Sequence, residues 1–178
     1  MGSQPSFTQP PQRASFSGFL FDMDGTIIDS TAAIVKHWHR SLIDSLIALS
    51  APWAIVTSGT EPLVSGWLSR LSLAVPRHLV TAESVADGKP DPACYRMGLD
   101  KLNLAHRAGD VVVLEDAPAG IEAGKAAGCK VIGLVTSHTV DQVVAAGPDW
   151  VVKDLESVRV VGQHDGRVTV EISNALRL

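Results

Sequence analysis

The sequence predicts an α/β fold: a doubly wound, mainly parallel sheet with helices on both faces. Three observations carry this. Short apolar, β-branched runs alternate with stretches of helical periodicity along most of the chain. One run, Val111-Val112-Val113-Leu114, is continuously apolar, as suits a strand covered on both faces of a parallel sheet. Polar clusters rich in Asp, Thr and Gly follow directly behind several apolar runs, at the place where parallel strands gather a ligand site beyond their carboxyl ends.

The elements follow in order. Residues 1–17, rich in Gln, Ser and Pro (Pro5, Pro10, Pro11), read as a disordered tail, and residues 18–178 as one domain. Phe19-Leu20-Phe21 is a strand, and Gly25 marks a turn. A helical stripe of Ile34, Trp38, Leu42, Leu46 and Leu49 predicts a helix from Ser30, its N-cap, to about Leu49, with Pro52 closing it. Trp53 to Thr57 is the next strand, broken at Ser58-Gly59. A helix from Glu61 to Leu71 carries Pro62 in its first turn. Leu79 to Thr81 is a short strand, and Pro92 opens a helix towards Leu102. After the strand Val111 to Leu114 come a helix of small residues, Gly120 to Ala127, and a strand, Val131 to Val135. Val158 to Val161 and Arg167 to Ile172 flank Asp165-Gly166, a hairpin signal, so the chain closes on a C-terminal β-hairpin.

Composition narrows the function. A length of 178 residues suits one domain that buries about 70% of its unfolded surface. Hydrophobic residues at 46%, charged residues at 19% and a mean hydropathy of +0.17 exclude wholesale disorder. A net charge of −4 offers no general attraction to nucleic acid, so none is expected as a partner. No apolar stretch approaches the ~20 residues that span a bilayer, no signal-peptide pattern opens the chain, and no membrane partner is expected. Met1-Gly2-Ser3-Gln4-Pro5-Ser6 fits a short acylation pattern that chance also produces. Cys94 and Cys129 have no metal-binding spacing and read as reduced thiols of a cytoplasmic protein. His37 and His39 lie two apart and so do not share a helix face, which argues against a metal pair. Gly120, Gly124 and Gly128 are interleaved with Glu122 and Lys125, which favours a helix packed closely on the sheet over a membrane motif.

Three polar clusters follow predicted strands: Asp22-Met23-Asp24-Gly25-Thr26, Thr57-Ser58-Gly59 and Glu115-Asp116. A fourth, Gly88-Lys89-Pro90-Asp91-Pro92, precedes a helix. Each has an ordinary reading taken singly: a strand-to-turn transition, a turn cap, a solvated lysine, a helix cap. Taken together on a parallel sheet, the first three meet at one edge. Like charges ~5 Å apart at an effective dielectric of ~20 repel by about 3 kcal/mol per pair. A divalent cation removes that conflict, and an all-oxygen donor set favours Mg²⁺. With Lys89 and the Thr57 hydroxyl beside it, such a site suits phosphoryl transfer.

In the order of these clusters the sequence resembles the haloacid dehalogenase superfamily, whose four motifs match Asp22-Met23-Asp24-Gly25-Thr26, Thr57, Lys89 and Glu115-Asp116. Phe19 to Ser30, Ala51 to Thr60, Gly88 to Tyr95 and Val111 to Leu134 are further similar to the fungal glycerol-1-phosphate and 2-deoxyglucose-6-phosphate phosphatases. The resemblance implies a Rossmann-like core and a Mg²⁺-dependent phosphatase acting on a small phosphorylated polyol or sugar through an aspartyl phosphate. It implies Asp22 as nucleophile and Asp24 as general acid and base. Mg²⁺ would be held by Asp22, the Asp24 carbonyl and Asp116, with Glu115 joining directly or through water. Thr57 and the N–H groups of Ser58 and Gly59 would bind phosphate oxygens, and Lys89 would balance charge on Asp22 and the phosphate.

One piece of that pattern is missing. The nearest relatives carry a helical cap between the first two motifs, whereas here Thr57 follows Asp22 by only 35 positions. Ser30 to Arg40 resembles the start of the cap and runs straight into Ser41 to Leu46, which resembles the helix behind it. A single helix is therefore expected in place of the cap. Without a cap, water exclusion and leaving-group selection weaken, and the uncovered face is a surface through which copies could associate. The alternative is a cap-deleted protein that binds phosphate or a partner with little turnover.

Overall fold

A computed structural model of the chain describes residues 6–28 and 38–177, with side chains from residue 42 onward in the second segment. Its centre is the run of strands that the apolar pattern predicts. A parallel sheet forms in the order β4-β3-β2-β5-β6-β7 from β2 (Gly18–Phe21), β3 (Trp53–Val56), β4 (Leu79–Val80), β5 (Val111–Glu115), β6 (Lys130–Leu134) and β7 (Trp150–Val152). β2 pairs with β3 on one side and β5 on the other, so Phe21 stands level with both Ile55 and Leu114. From β2 the chain winds outward through β3 and β4, then returns to the other side of β2 as β5. The order reverses between β2 and β5, which makes their carboxyl ends the crevice of a doubly wound sheet.

Strand alternation sorts the core into two layers. Phe19, Phe21, Ile55, Val112 and Leu114 face one side with Leu42, Ile43 and Leu46 of α1 (Trp38–Ala48) and Val64 and Leu68 of α2 (Glu61–Arg70). Leu20, Ala54, Val56, Val111 and Val113 face the other. There they meet Tyr95 and Leu99 of α3 (Ala93–Lys101), Ile121 of α4 (Pro118–Ala126) and Val143 of α5 (Val140–Ala145). Pro118 opens α4 two residues before the predicted start, a position where proline lacks nothing because its N–H has no helical partner. Gly124 justifies the close-packing reading: a Cβ there would lie 3.1 Å from Val131 and 3.3 Å from Val113.

The remaining strands form a separate antiparallel sheet, β1-β9-β8, from β1 (Gln12–Phe16), β8 (Val158–His164) and β9 (Arg167–Ile172). The hairpin turns at Asp165 and Gly166, both with positive φ (48° and 72°), as the Asp-Gly pair predicts. Here the structure corrects the expectation of a disordered tail over residues 1–17, because 12–16 form β1 in register from Gln12↔Ile172 to Phe16↔Val168. Composition hid this strand. Its polar residues face solvent on one side, while Phe16 is buried against Phe19 and Trp150 in edge-to-face contacts. The sheet continues the layer of α1 and α2 over β5, β6 and β7: Val168, Val170 and Ile172 join the same core layer as Ile132, Leu134 and Val152.

Two further elements went unread in the sequence. α5 is a six-residue helix whose Thr139 cap accepts a hydrogen bond from the Gln142 N–H, and β7 is three residues long. Both are too short to show a period. Between β2 and β3 the one helix among the described residues is α1. The expected helix start at Ser30, with Ile34 and His37, lies outside those residues.

Removing the Phe16 ring tests whether β1 belongs to the fold. Phe16→Ala is expected to cost about 3–5 kcal/mol, the range for emptying a buried aromatic site, as read by urea unfolding. An unchanged midpoint would return residues 12–16 to the tail.

Candidate functional site

The site assembles where β2, β3 and β5 end. Asp22 leaves β2 with its N–H donated to the Leu114 carbonyl at 3.0 Å, so the pairing of the two strands continues into the first polar cluster. The next turn is tight. Ile27 and Ile28 donate their N–H groups to the Met23 carbonyl at 2.9 Å each, and Gly25 donates to Ile28 at 2.6 Å. Gly25 adopts φ +85°, and a Cβ there would lie 2.2 Å from Asp116 Oδ2. Only glycine lets this backbone approach the β5 terminus so closely.

The acidic residues are buried together. Asp22, Glu115 and Asp116 each offer an oxygen within 4.8 Å of the others, and Glu115 is fully inaccessible. Such a group persists only with compensating charge and hydrogen bonds. Lys89 supplies the charge: its Nζ donates to Asp22 Oδ1 at 2.5 Å, Glu115 Oε1 at 2.6 Å and the Val56 carbonyl at 3.3 Å. The ammonium also stands 5.1 Å from the centre of the Tyr95 ring. Lys89 is thus buried, not a solvated surface lysine. Burial alone would depress its pKa, but Asp22 and Glu115 outweigh that and hold it above the ordinary lysine value.

The pKa values of two of the carboxylates are raised as well. Burial pushes Asp22 well above the usual carboxylate range, the Glu115 charge adds to this, and Lys89 opposes it. Burial followed by Glu115 also raises Asp116, against hydrogen bonds from Ser137 and Thr26. Burial is the larger cause of both shifts and the Glu115 charge the next; a buried group of carboxylates is an environment that a divalent cation suits. The donor set is all oxygen, as Mg²⁺ requires. Asp22, Asp116 and Glu115 therefore fit a metal as a group. Glu115 is the most committed elsewhere, since Oε1 accepts from Lys89 and from Tyr95 Oη at 3.1 Å, and Oε2 accepts from the Ala117 N–H at 2.8 Å. That last bond closes the turn before α4, whose N-cap is Ala117 with no side-chain cap, so the ordinary reading of Glu115-Asp116 as a helix cap does not hold. Gly120 makes the arrangement feasible, because a Cβ there would stand 1.7 Å from Glu115 Oε1.

Thr57 is buried behind β3. Its Oγ1 accepts from the Gly59 N–H at 2.9 Å, closing a local turn with a group that the phosphate reading assigns to a substrate oxygen. Asp24 is exposed, and its carboxylate lies over this turn: a Cβ on Gly59 would be 3.8 Å from Asp24 Oδ2. The fold thus brings Asp22, Asp24, Thr57, Ser58, Gly59, Lys89, Glu115 and Asp116 to one end of the sheet.

Sequence reasoning missed Tyr95 and the loop behind β6. Tyr95 is wholly buried, and its hydroxyl ties Glu115 to α3. Thr136 donates its hydroxyl to the Gly25 carbonyl, Ser137 Oγ lies beside Asp116 Oδ2 against Gly25, and His138 Nδ1 stands 3.8 Å from Asp116 Oδ2. The rule that found the other clusters also applies to this one, because Thr136-Ser137-His138 is polar and directly follows a predicted strand.

Lys89→Met would leave Glu115 and Asp22 buried without a cation. The expected loss is about 3–5 kcal/mol, the cost of breaking a buried pair from one side, in urea unfolding at pH 7 with EDTA present. Adding Glu115→Gln is expected to restore part of it. No loss in the single variant would show that the lysine carries little of the site's stability.

Comparison with known proteins agrees with this geometry. The family model for haloacid dehalogenase-like hydrolases matches residues 38–134. Glycerol-1-phosphate phosphohydrolase 2 of Saccharomyces cerevisiae is 44% identical over 115 residues, covering 62% of this chain and 46% of that protein. The chain spans about half the length of the two yeast glycerol-1-phosphate phosphohydrolases it matches. Hexitol phosphatase A of Escherichia coli is 29% identical over 216 residues, 86% of this chain and 98% of its own. That alignment is longer than this 178-residue chain, so the bacterial protein carries residues with no counterpart here. Among solved structures, a HAD family hydrolase from Deinococcus radiodurans with bound phosphate and sodium superposes with a TM-score of 0.68 at 18% identity, over 79% of this chain and 92% of that one, a likeness of fold alone. Matched over more than half its length, and with its acidic residues gathered at the switch point of the sheet, the chain belongs to the haloacid dehalogenase-like hydrolases.

Proposed function

We propose that this protein is a Mg²⁺-dependent phosphatase that hydrolyses a small phosphorylated polyol or sugar through an aspartyl phosphate. The observation that carries the reading is the buried convergence of Asp22, Glu115 and Asp116, with Lys89 paired to the first two. The names of its relatives, phosphatases of glycerol-1-phosphate and hexitols, support the substrate class. No helix among the described residues is long and apolar enough to cross a membrane, and both cysteines are free. Both facts suit work on a metabolite in the cytoplasm.

Asp22 attacks phosphorus in line, forming a bond between a carboxylate oxygen and phosphorus while the bond to the substrate alkoxide breaks. Asp24 gives that alkoxide its proton. Water then attacks the aspartyl phosphate, Asp24 takes the water proton, and the Asp22–phosphorus bond breaks to release inorganic phosphate. Asp24 is exposed beside the Thr57–Gly59 turn, a place from which it can reach both the leaving group and water. Thr57 and the N–H groups of Ser58 and Gly59 bind phosphate oxygens, with the Gly59 N–H turning from Thr57 Oγ1 to the substrate. Lys89 holds Asp22 as a carboxylate and faces the transferring group. Mg²⁺, held by Asp22, the Asp24 carbonyl, Asp116 and Glu115 directly or through water, would supply the positive charge that lets a carboxylate and a phosphate meet.

The test is release of phosphate from p-nitrophenyl phosphate, glycerol phosphate and 2-deoxyglucose-6-phosphate. Turnover is expected with Mg²⁺ and none with EDTA. Asp22→Asn should fall to background, and Asp24→Asn should fall about 10²–10⁴-fold on the alkyl phosphates, the range for losing a general acid. Turnover in EDTA, or full activity of Asp22→Asn, would overturn the mechanism. Binding of Mg²⁺ and phosphate without turnover would overturn the assignment as an enzyme.

A further inference from the structure

We propose that the loop behind β6 is a positioning element of the metal site, in which Ser137 holds the Asp116 carboxylate in ligating geometry. The inference rests on the Mg²⁺ reading above and adds residues to it. Asp116 is faced by two hydroxyls: Thr26 Oγ1 donates to Oδ1 at 3.1 Å, and Ser137 Oγ lies on the Oδ2 side. Ser137 Oγ and Asp116 Oδ2 both press on Gly25, where a Cβ would lie 2.3 Å from the first and 2.2 Å from the second. The neighbouring Thr136 donates to the Gly25 carbonyl. One loop is thereby tied both to the terminus of β5 and to the turn that carries Asp22 and Asp24.

The kind of donor matters. Asp22 and Glu115 share the Lys89 ammonium, which offsets much of their charge. Asp116 is oriented by neutral hydroxyls, and the basic atom paired with it among the described residues, His138 Nδ1, is 3.8 Å away. A hydroxyl fixes the direction of a carboxylate without cancelling its charge, so Asp116 keeps its full attraction for a cation while losing little freedom on binding one. Removing partners that orient metal ligands typically weakens metal binding 10- to 100-fold.

The experiment is calorimetric titration of Mg²⁺ into the full chain without substrate, with melting in EDTA recorded alongside. Ser137→Ala is expected to raise the Mg²⁺ dissociation constant about 10-fold or more while leaving the EDTA melting midpoint unchanged. Thr139→Ala, which removes the cap of α5 in the adjacent residues, is expected to lower the midpoint and leave Mg²⁺ affinity unchanged. Thr136→Val should weaken Mg²⁺ binding in the same direction as Ser137→Ala and replaces it if that variant does not fold. Equal affinity in wild type and both loop variants would overturn this inference and leave the metal site standing. Weakened binding that appears only with a lowered EDTA midpoint, as from general loosening of the loop, would also overturn it. No Mg²⁺ heat in the wild type would overturn the metal reading itself.

Discussion

The pairing of β2 with β5 is the constraint on which the site depends. Phe21 and Leu114 stand side by side in the parallel register, so the residues that follow them leave the sheet together. Asp22 cannot move away from Glu115 and Asp116 without breaking its N–H bond to Leu114. Hydrophobic burial of Phe21 and Leu114 thus holds in place a cluster of acids that Coulomb repulsion disfavours. At ~5 Å and an effective dielectric of ~20 each like pair works against folding by about 3 kcal/mol. Lys89 relieves part of that conflict. It comes from the segment before α3 and reaches the end of β3, where it donates to the Val56 carbonyl.

The glycines show how closely the surrounding backbone is fitted to these charges. At Gly25 and Gly120 a single added carbon would collide with Asp116 and Glu115, respectively. One lies in the turn behind β2 and the other in α4, so the two walls of the crevice are brought near the carboxylates from different elements. The antiparallel sheet acts at a greater distance. By extending the α1 and α2 layer over β5, β6 and β7 on the same face of the sheet, it completes the core that keeps the central strands dry and their register fixed.

Much of this was legible in the sequence, because parallel strands buried on both faces write themselves as unbroken apolar runs. Val111 to Leu114 is the clearest, and the polar residues behind such runs marked Asp22, Thr57 and Glu115-Asp116 before their distances were known. What escaped notice did so for physical reasons. β1 earns its place through Phe16 and its ladder to β9, while its other residues face solvent and resemble a tail. α5 and β7 are shorter than one clear period. Tyr95 reads as an ordinary core residue of α3, since nothing local to it announces a buried carboxylate twenty positions along the chain. The bond between Thr57 and Gly59 belongs to the turn itself and is invisible to residue spacing.

The central claim is that Asp22 and Asp116 share a divalent cation. Anomalous diffraction from crystals of the protein soaked in Mn²⁺, which takes the same hard oxygen ligands, tests it most directly. One strong peak is expected between the two side chains, within direct bonding distance of an oxygen from each. A peak bound elsewhere, or none at a concentration that supports turnover, would contradict it.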